Sequence, residues 1–140
     1  MIYLPNNTKQ ETEQFLKRVV SDWESDIPQS YEFAITLGGK HIGAVSISLS
    51  ENRQEGELGW IIHKDYQYKG YATEAANAVL GFAIKDLKIK KAVAHCDYRN
   101  EFSYRVMQKI GLSLESNSGT RRYRDSDEDV KEFMYSMIIE

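Results

Sequence analysis

QYKGYATEA, residues 67–75, sets a glycine between two differently patterned stretches, and the change of pattern across it decides the fold. Downstream, Ala72, Ala75, Ala76, Val79, Leu80, Ala83, Ile84 and Leu87 recur at spacings of three and four, which gives a helix one continuous apolar face. Upstream, Glu57 to His63 (ELGWIIH) is rich in aromatic and β-branched residues suited to a half-buried strand. The unit is therefore strand, Gly turn, helix. Gly70 can take positive φ and lets a ligand approach the backbone, and Ala72 keeps the next position of the turn small. Such a turn points free N–H groups and the positive end of a helix dipole at an anion, although a Gly turn before a helix is also an ordinary connection. Neither GxxxxGKS/T nor GxGxxG is present, so the anion expected is a phosphate-bearing ligand of another kind.

The 140 residues suffice for a single domain, residues 1–140, with one core. With 41% apolar and 28% charged residues the balance is that of a soluble chain, and no apolar stretch is long enough to span a bilayer. The start, MIYLPNNTKQ, has no basic and apolar leader pattern. A net charge of −3 provides no broad footprint for nucleic acid. The local basic cluster Arg121, Arg122 and Arg124 is followed at once by acidic Asp125 to Asp129, which reads as a solvated loop. The single cysteine, Cys96, excludes an intrachain disulfide and fits a reducing, cytoplasmic setting; its strand-type neighbours make it a small core residue rather than a nucleophile.

Thr8 with Glu11 forms a capping box that opens a helix through about Trp23. Tyr31–Leu37 and His41–Leu49 read as strands around Gly38 and Gly39, the dipeptide of a tight hairpin, and with the Glu57 strand they make an antiparallel meander. Lys91–Asp97 is the next strand, with Ala92, Ala94 and Cys96 toward a helix and His95 on the opposite side. Asn100 to about Ile110 is a helix stopped by Gly111, its inner face Ser103, Val106, Met107 and Ile110. Two final strands are expected near Leu112–Ser116 and Glu132–Ile139, with the charged loop between them.

Gln67, Gly70 and Ala72 fit a Gln/Arg-x-x-Gly-x-Gly/Ala signature, and Asn100 to Leu112, NEFSYRVMQKIGL, supplies a second motif in the right order. Together they resemble the GNAT N-acetyltransferases, most nearly the branch containing the RimJ and RimL ribosomal-protein N-terminal acetyltransferases, over about residues 30 to 139. The resemblance implies an α/β fold with a mixed, mostly antiparallel sheet flanked by helices. The element order lacks the family's usual first strand and helix, the first helix here resembling the family's second; either the sheet has an open edge, or another subunit, as in a homodimer, covers it, or the N-terminus was lost or misassigned.

The resemblance further implies acetyl-CoA as cosubstrate and no metal. Backbone amides of Tyr68, Lys69, Gly70, Tyr71, Ala72 and Thr73, following Gln67, would cradle the pyrophosphate; the Tyr68 position is usually Gly in the family. Lys69 adds charge there or is merely solvated. The backbone of Trp60, Ile61 and Ile62 would pair with the pantetheine arm where the strand splays from its neighbour, the side chains themselves belonging to the core. Asn100 would orient the pantetheine, cap its own helix, or do both.

Acetyl transfer to an amine needs the thioester carbonyl held, the amine deprotonated and the thiolate reprotonated. Glu57 and His95 are the candidates for the base, each with an ion-pair or structural role as the alternative, and direct attack after the amine loses its proton to solvent needs neither. The family's usual tyrosine acid falls at Met107, which cannot donate a proton; Ser103 has a hydroxyl that could meet the sulfur, and Tyr104 is a surface aromatic at the wrong offset. The chain thus reads as an N-acetyltransferase acting through a ternary complex on a primary amine, a protein N-terminus or a small amine such as a polyamine or aminoglycoside. The alternative is a CoA-binding or interaction module with little catalysis. Glu51, Glu55 and Glu57 favour a cationic acceptor or simply solvate a loop.

Overall fold

In a computed structural model, residues 28–140 are described. The helix expected from Thr8 to Trp23 lies outside them. Strands β1 (Ser30–Leu37), β2 (Lys40–Leu49) and β3 (Glu55–Ile62) form the expected antiparallel meander. Gly38 and Gly39 take φ of 57° and 83°, the two successive positive values that a two-residue hairpin needs to match strand twist. A short 3-10 turn, Lys64–Tyr66, leads to helix α1 (Tyr71–Lys85), then β4 (Lys91–Asp97), helix α2 (Glu101–Lys109), β5 (Ser113–Arg122) and β6 (Asp129–Ile138). The six strands lie in the order β1-β2-β3-β4-β6-β5, and every pairing is antiparallel except β3 with β4, whose crossover is α1. This is the mixed, mostly antiparallel α/β sheet that the sequence implies.

One face of the sheet carries the core. Ile47, Leu58, Ala92 and Ala94 are buried on it beneath Ala76, Val79, Leu80 and Ala83 of α1 and Val106 and Met107 of α2. Period-2 alternation sends their neighbours to the other face, where the in-register pairs Ser48 with Glu57 and Asp97 with Glu132 place polar groups side by side. His95 lies on that face too, as the alternation around Ala94 and Cys96 predicts. Cys96 is buried, and burial pushes its thiol up to about 11, which suits a core residue and not a nucleophile.

Helix α2 stops as expected at Gly111, φ 100°. The Leu112 N–H donates to the Met107 carbonyl at 3.0 Å and the Gly111 N–H to that of Gln108 at 3.1 Å, the paired bonds of a Schellman end. The main correction falls on β5, which runs to Arg122 and not to Ser116, so the solvated loop shrinks to residues 123–128. Arg121 is therefore no loop residue. Its side chain is only 9% exposed, and its Nε lies 3.3 Å from Glu132 Oε2 on β6. Tyr104, expected at the surface, is half-buried with its ring centroid 5.9 Å from that of Phe133. Among the described residues no helix is long and apolar enough to cross a membrane.

Candidate active site

The glycine turn is built by three local devices. Gln67 donates its side-chain amide to the Ile62 carbonyl at 3.2 Å, fastening the turn to the end of β3. Gly70 then takes φ 88° and ψ −3° as the residue before α1, and it offers no side chain to cap the helix. The first-turn amides of Tyr71, Ala72 and Thr73 thus start a 15-residue helix without a side-chain cap, the arrangement in which helix N-termini receive anions. A Cβ on Gly70 would meet nothing within 4 Å, so glycine is required there by backbone conformation and not by space. Tyr68 also has positive φ, 61°, which accounts for the glycine usual at this position in the family. Its ring is braced edge-on against Phe102 of α2, centroids 5.3 Å apart. Lys69 is exposed beside it.

The strand leading to this turn parts from its neighbour. β3 and β4 are in register only at Glu55–Glu57 against Lys91–Val93, after which they diverge and leave a wedge open toward the Gly70 turn. Trp60 and Ile62 bury their side chains in the core, while Ile61 is 48% exposed on the opposite face. At the far end of β4, Asn100 caps α2, its Oδ1 accepting the Ser103 N–H at 3.0 Å. The loop carrying Asn100 is held by buried Asp97. That carboxylate accepts from the Arg99 N–H (2.9 Å), Nε (3.0 Å) and Nη2 (2.7 Å) and from the Tyr123 hydroxyl (2.7 Å). The Arg99 guanidinium, with these other donors, keeps Asp97 far below the usual carboxylate range despite burial.

On the polar face, at the narrow end of the wedge, His95 Nδ1 approaches Glu57 Oε1 to 2.5 Å, and His95 Nε2 lies 4.0 Å from Glu132 Oε1. The His95 imidazole beside it outweighs burial and lowers the Glu57 carboxyl below its ordinary value. Glu55, Glu57 and His95 border a cleft of about 420 Å³ together with Ser48 and Ser50. A larger apolar cavity of about 750 Å³ lies elsewhere, between β1 and α1, walled by Tyr31, Phe33, Ile35 and Phe82. Sequence reasoning did not reach the Tyr123–Asp97 and Arg121–Glu132 contacts, which join residues 26 and 11 positions apart. Among the described residues no group of three His, Cys, Asp or Glu side chains could hold a metal ion.

Residues 1–113 match the model of the acetyltransferase (GNAT) domain family, and the chain belongs to that family. Over 59 residues it is 46% identical to the uncharacterized N-acetyltransferase YnaD of Bacillus subtilis, a match covering 42% of this chain and 35% of that protein. It shares the fold of RimL, a ribosomal L7/L12 alpha-N-protein acetyltransferase solved with coenzyme A (TM-score 0.83, 16% identity, 95% of this chain and 74% of that one). It likewise shares the fold of the spermidine N-acetyltransferase from Vibrio cholerae solved with CoA and spermine (TM-score 0.78, 17% identity, 97% and 78%). The matched stretches span between 35% and 58% of the lengths of the curated relatives.

Proposed function

We propose that this chain binds acetyl-CoA and transfers its acetyl group to a primary amine by direct attack within a ternary complex. The observation that carries the reading is the wedge between β3 and β4 opening onto the uncapped amides behind Gly70. In this reading the amides from Tyr68 to Thr73 receive the pyrophosphate, and the edge of β3 at Trp60, Ile61 and Ile62 pairs with the amides of the pantetheine arm. That pairing places the thioester within reach of the polar sheet face. The amine nitrogen attacks the carbonyl carbon, the C–N bond forms as the C–S bond breaks, and the proton lost by nitrogen passes to the Glu57–His95 pair. The Ser103 hydroxyl or water returns a proton to the thiolate. Most of the acceleration comes from proximity and carbonyl polarisation.

Two acceptor classes fit, a protein N-terminus and a small polyamine, and both occur among proteins of this fold. The carboxylates of Glu55 and Glu57 at one cleft favour a cationic amine. A buried, unpaired Cys96 is in keeping with a reducing, cytoplasmic setting.

A second reading, a CoA-binding module with little catalysis, draws on Met107. That residue takes the place of the family's tyrosine acid and is only 1% exposed. Thiol release from acetyl-CoA, measured against polyamines, aminoglycosides and N-terminal peptides with Gly70→Trp as control, separates the two. Amine-dependent release lost in the variant supports the transferase and names its acceptor. Binding of CoA without turnover on any amine supports the module, and no binding of CoA would sink both.

A further inference from the structure

Across the Gly70 turn, α2 presents Phe102, Arg105, Val106 and Lys109, spaced at three, four and seven residues and so on one side of the helix. Phe102 and Val106 seat the helix, the first against Tyr68 and the second, 4% exposed, in the core. Arg105 and Lys109 therefore stand at the rim of a small cleft of about 60 Å³ whose opposite wall is Tyr68, Gly70 and Thr73. Arg105 Nη2 is paired with Glu101 Oε1 at 2.5 Å, which orients the guanidinium and leaves its other donors available. Lys109 has no ion-pair partner among the described residues. Lys91, Arg99, Arg121 and Arg122, like Arg105, each have a carboxylate partner. Lys109, and Arg105 with the donors its Glu101 bond leaves over, thus border the Gly70 turn one helical turn apart in a chain of net charge −3.

We propose that Arg105 and Lys109 bind the ribose 3′-phosphate of the cosubstrate and make the protein selective for CoA over dephospho-CoA; this rests on the reading of the Gly70 turn as a pyrophosphate cradle. The bridging pyrophosphate carries one charge per phosphoryl and suits closely approaching backbone amides. The 3′-phosphate is a monoester with nearly two charges at neutral pH and three acceptor oxygens, and it calls for side chains with several donors and full charge. The order along the helix matches the order along the ligand. Asn100 and Ser103 begin α2 beside the wedge, while Lys109 lies about 13 Å further along its axis at 1.5 Å per residue. The thioester would lie at the first end, the pyrophosphate at the turn, and the 3′-phosphate beyond it.

Calorimetric titration of the full chain with CoA and with dephospho-CoA tests this, alongside an Arg105→Gln/Lys109→Gln double variant and an Arg105→Lys/Lys109→Arg swap. The wild type is expected to bind CoA at least about tenfold more tightly than dephospho-CoA, with the preference shrinking below pH 6 as the monoester gains a proton. The double Gln variant should bring the ratio near one without weakening dephospho-CoA, and the charge-keeping swap should retain most of it. Tight binding of both ligands with no preference, or equal loss of both in the double variant, would overturn the subsite while leaving the cradle intact. Failure of both ligands to bind the wild type would overturn the cradle itself and the subsite with it.

Discussion

His95 Nδ1 lies 2.5 Å from Glu57 Oε1, beside the last rung at which β3 and β4 are still paired. The contact ties the two strands at the point from which they diverge and lowers the Glu57 carboxyl below its ordinary value. Replacing Glu57 by Gln preserves shape and removes the charge. If the pair accepts the proton of the amine, kcat at pH 7 should fall by about 10²-fold or more, the ordinary contribution of a positioned base. The deficit should narrow as pH rises toward 10, where a primary amine loses its proton unaided. A pH–rate profile of thiol release with a deficit constant at every pH would rule out this role.

The turn holds two positive-φ residues with different expected costs. Gly70→Ala is expected to lose about 1 kcal/mol from backbone strain alone, since a Cβ there meets no neighbour. Tyr68→Gly releases similar strain at φ 61° but forfeits the ring contact with Phe102, itself worth about 1 kcal/mol. Denaturant titration should therefore find Tyr68→Gly within about 1 kcal/mol of wild type. A clear stabilisation would mean that the aromatic brace contributes nothing.

Asp97 makes an acid-sensitive clamp. Its native carboxyl sits below the ordinary value, so its contribution is complete above about pH 4 and is lost as pH falls toward the native value. Asp97→Asn should lower stability at pH 7 and flatten its decline between about pH 4 and pH 2. Unfolding curves across that window check both. A variant retaining the wild-type acid slope would show that Asp97 is not its source.

Arg121 and Arg122 adjoin in sequence and should differ in consequence. Arg121→Ala leaves half-buried Glu132 without its partner and is expected to cost about 2–4 kcal/mol. Arg122, 59% exposed in its pair with Asp129, should tolerate Ala within about 0.5 kcal/mol. An Arg121→Met/Glu132→Leu double variant should recover most of the loss, because apolar groups of like size can replace such a pair. Equal effects at Arg121 and Arg122 in thermal melts would contradict this contrast.

The meander, both described helices and the turn were legible because each carries its own local code: Gly38–Gly39 for the hairpin, the period of α1, and Gly111 at the end of α2. β5 was not, and the reason is physical. SLESNSGTRR is polar, largely exposed and interrupted by two register shifts against β6, so no alternation survives to mark it. Its pairing is imposed by β6, and the Arg121 side chain meets Glu132 only through that pairing. Glu57 and His95 could be named separately from the sequence. Their contact could not, since it depends on the parallel register that α1 sets between β3 and β4.

The wedge has a mechanical consequence. Strands β1 to β3 and strands β4 to β6 form two leaves joined along three rungs, with α1 resting on β2 and β3, and α2 on α1, β4 and β6. The paired seam between the leaves is short, and the packing of α1 against α2 carries the rest of their junction. A ligand lying between the two leaves would reach both at once and act as a strut across the wedge.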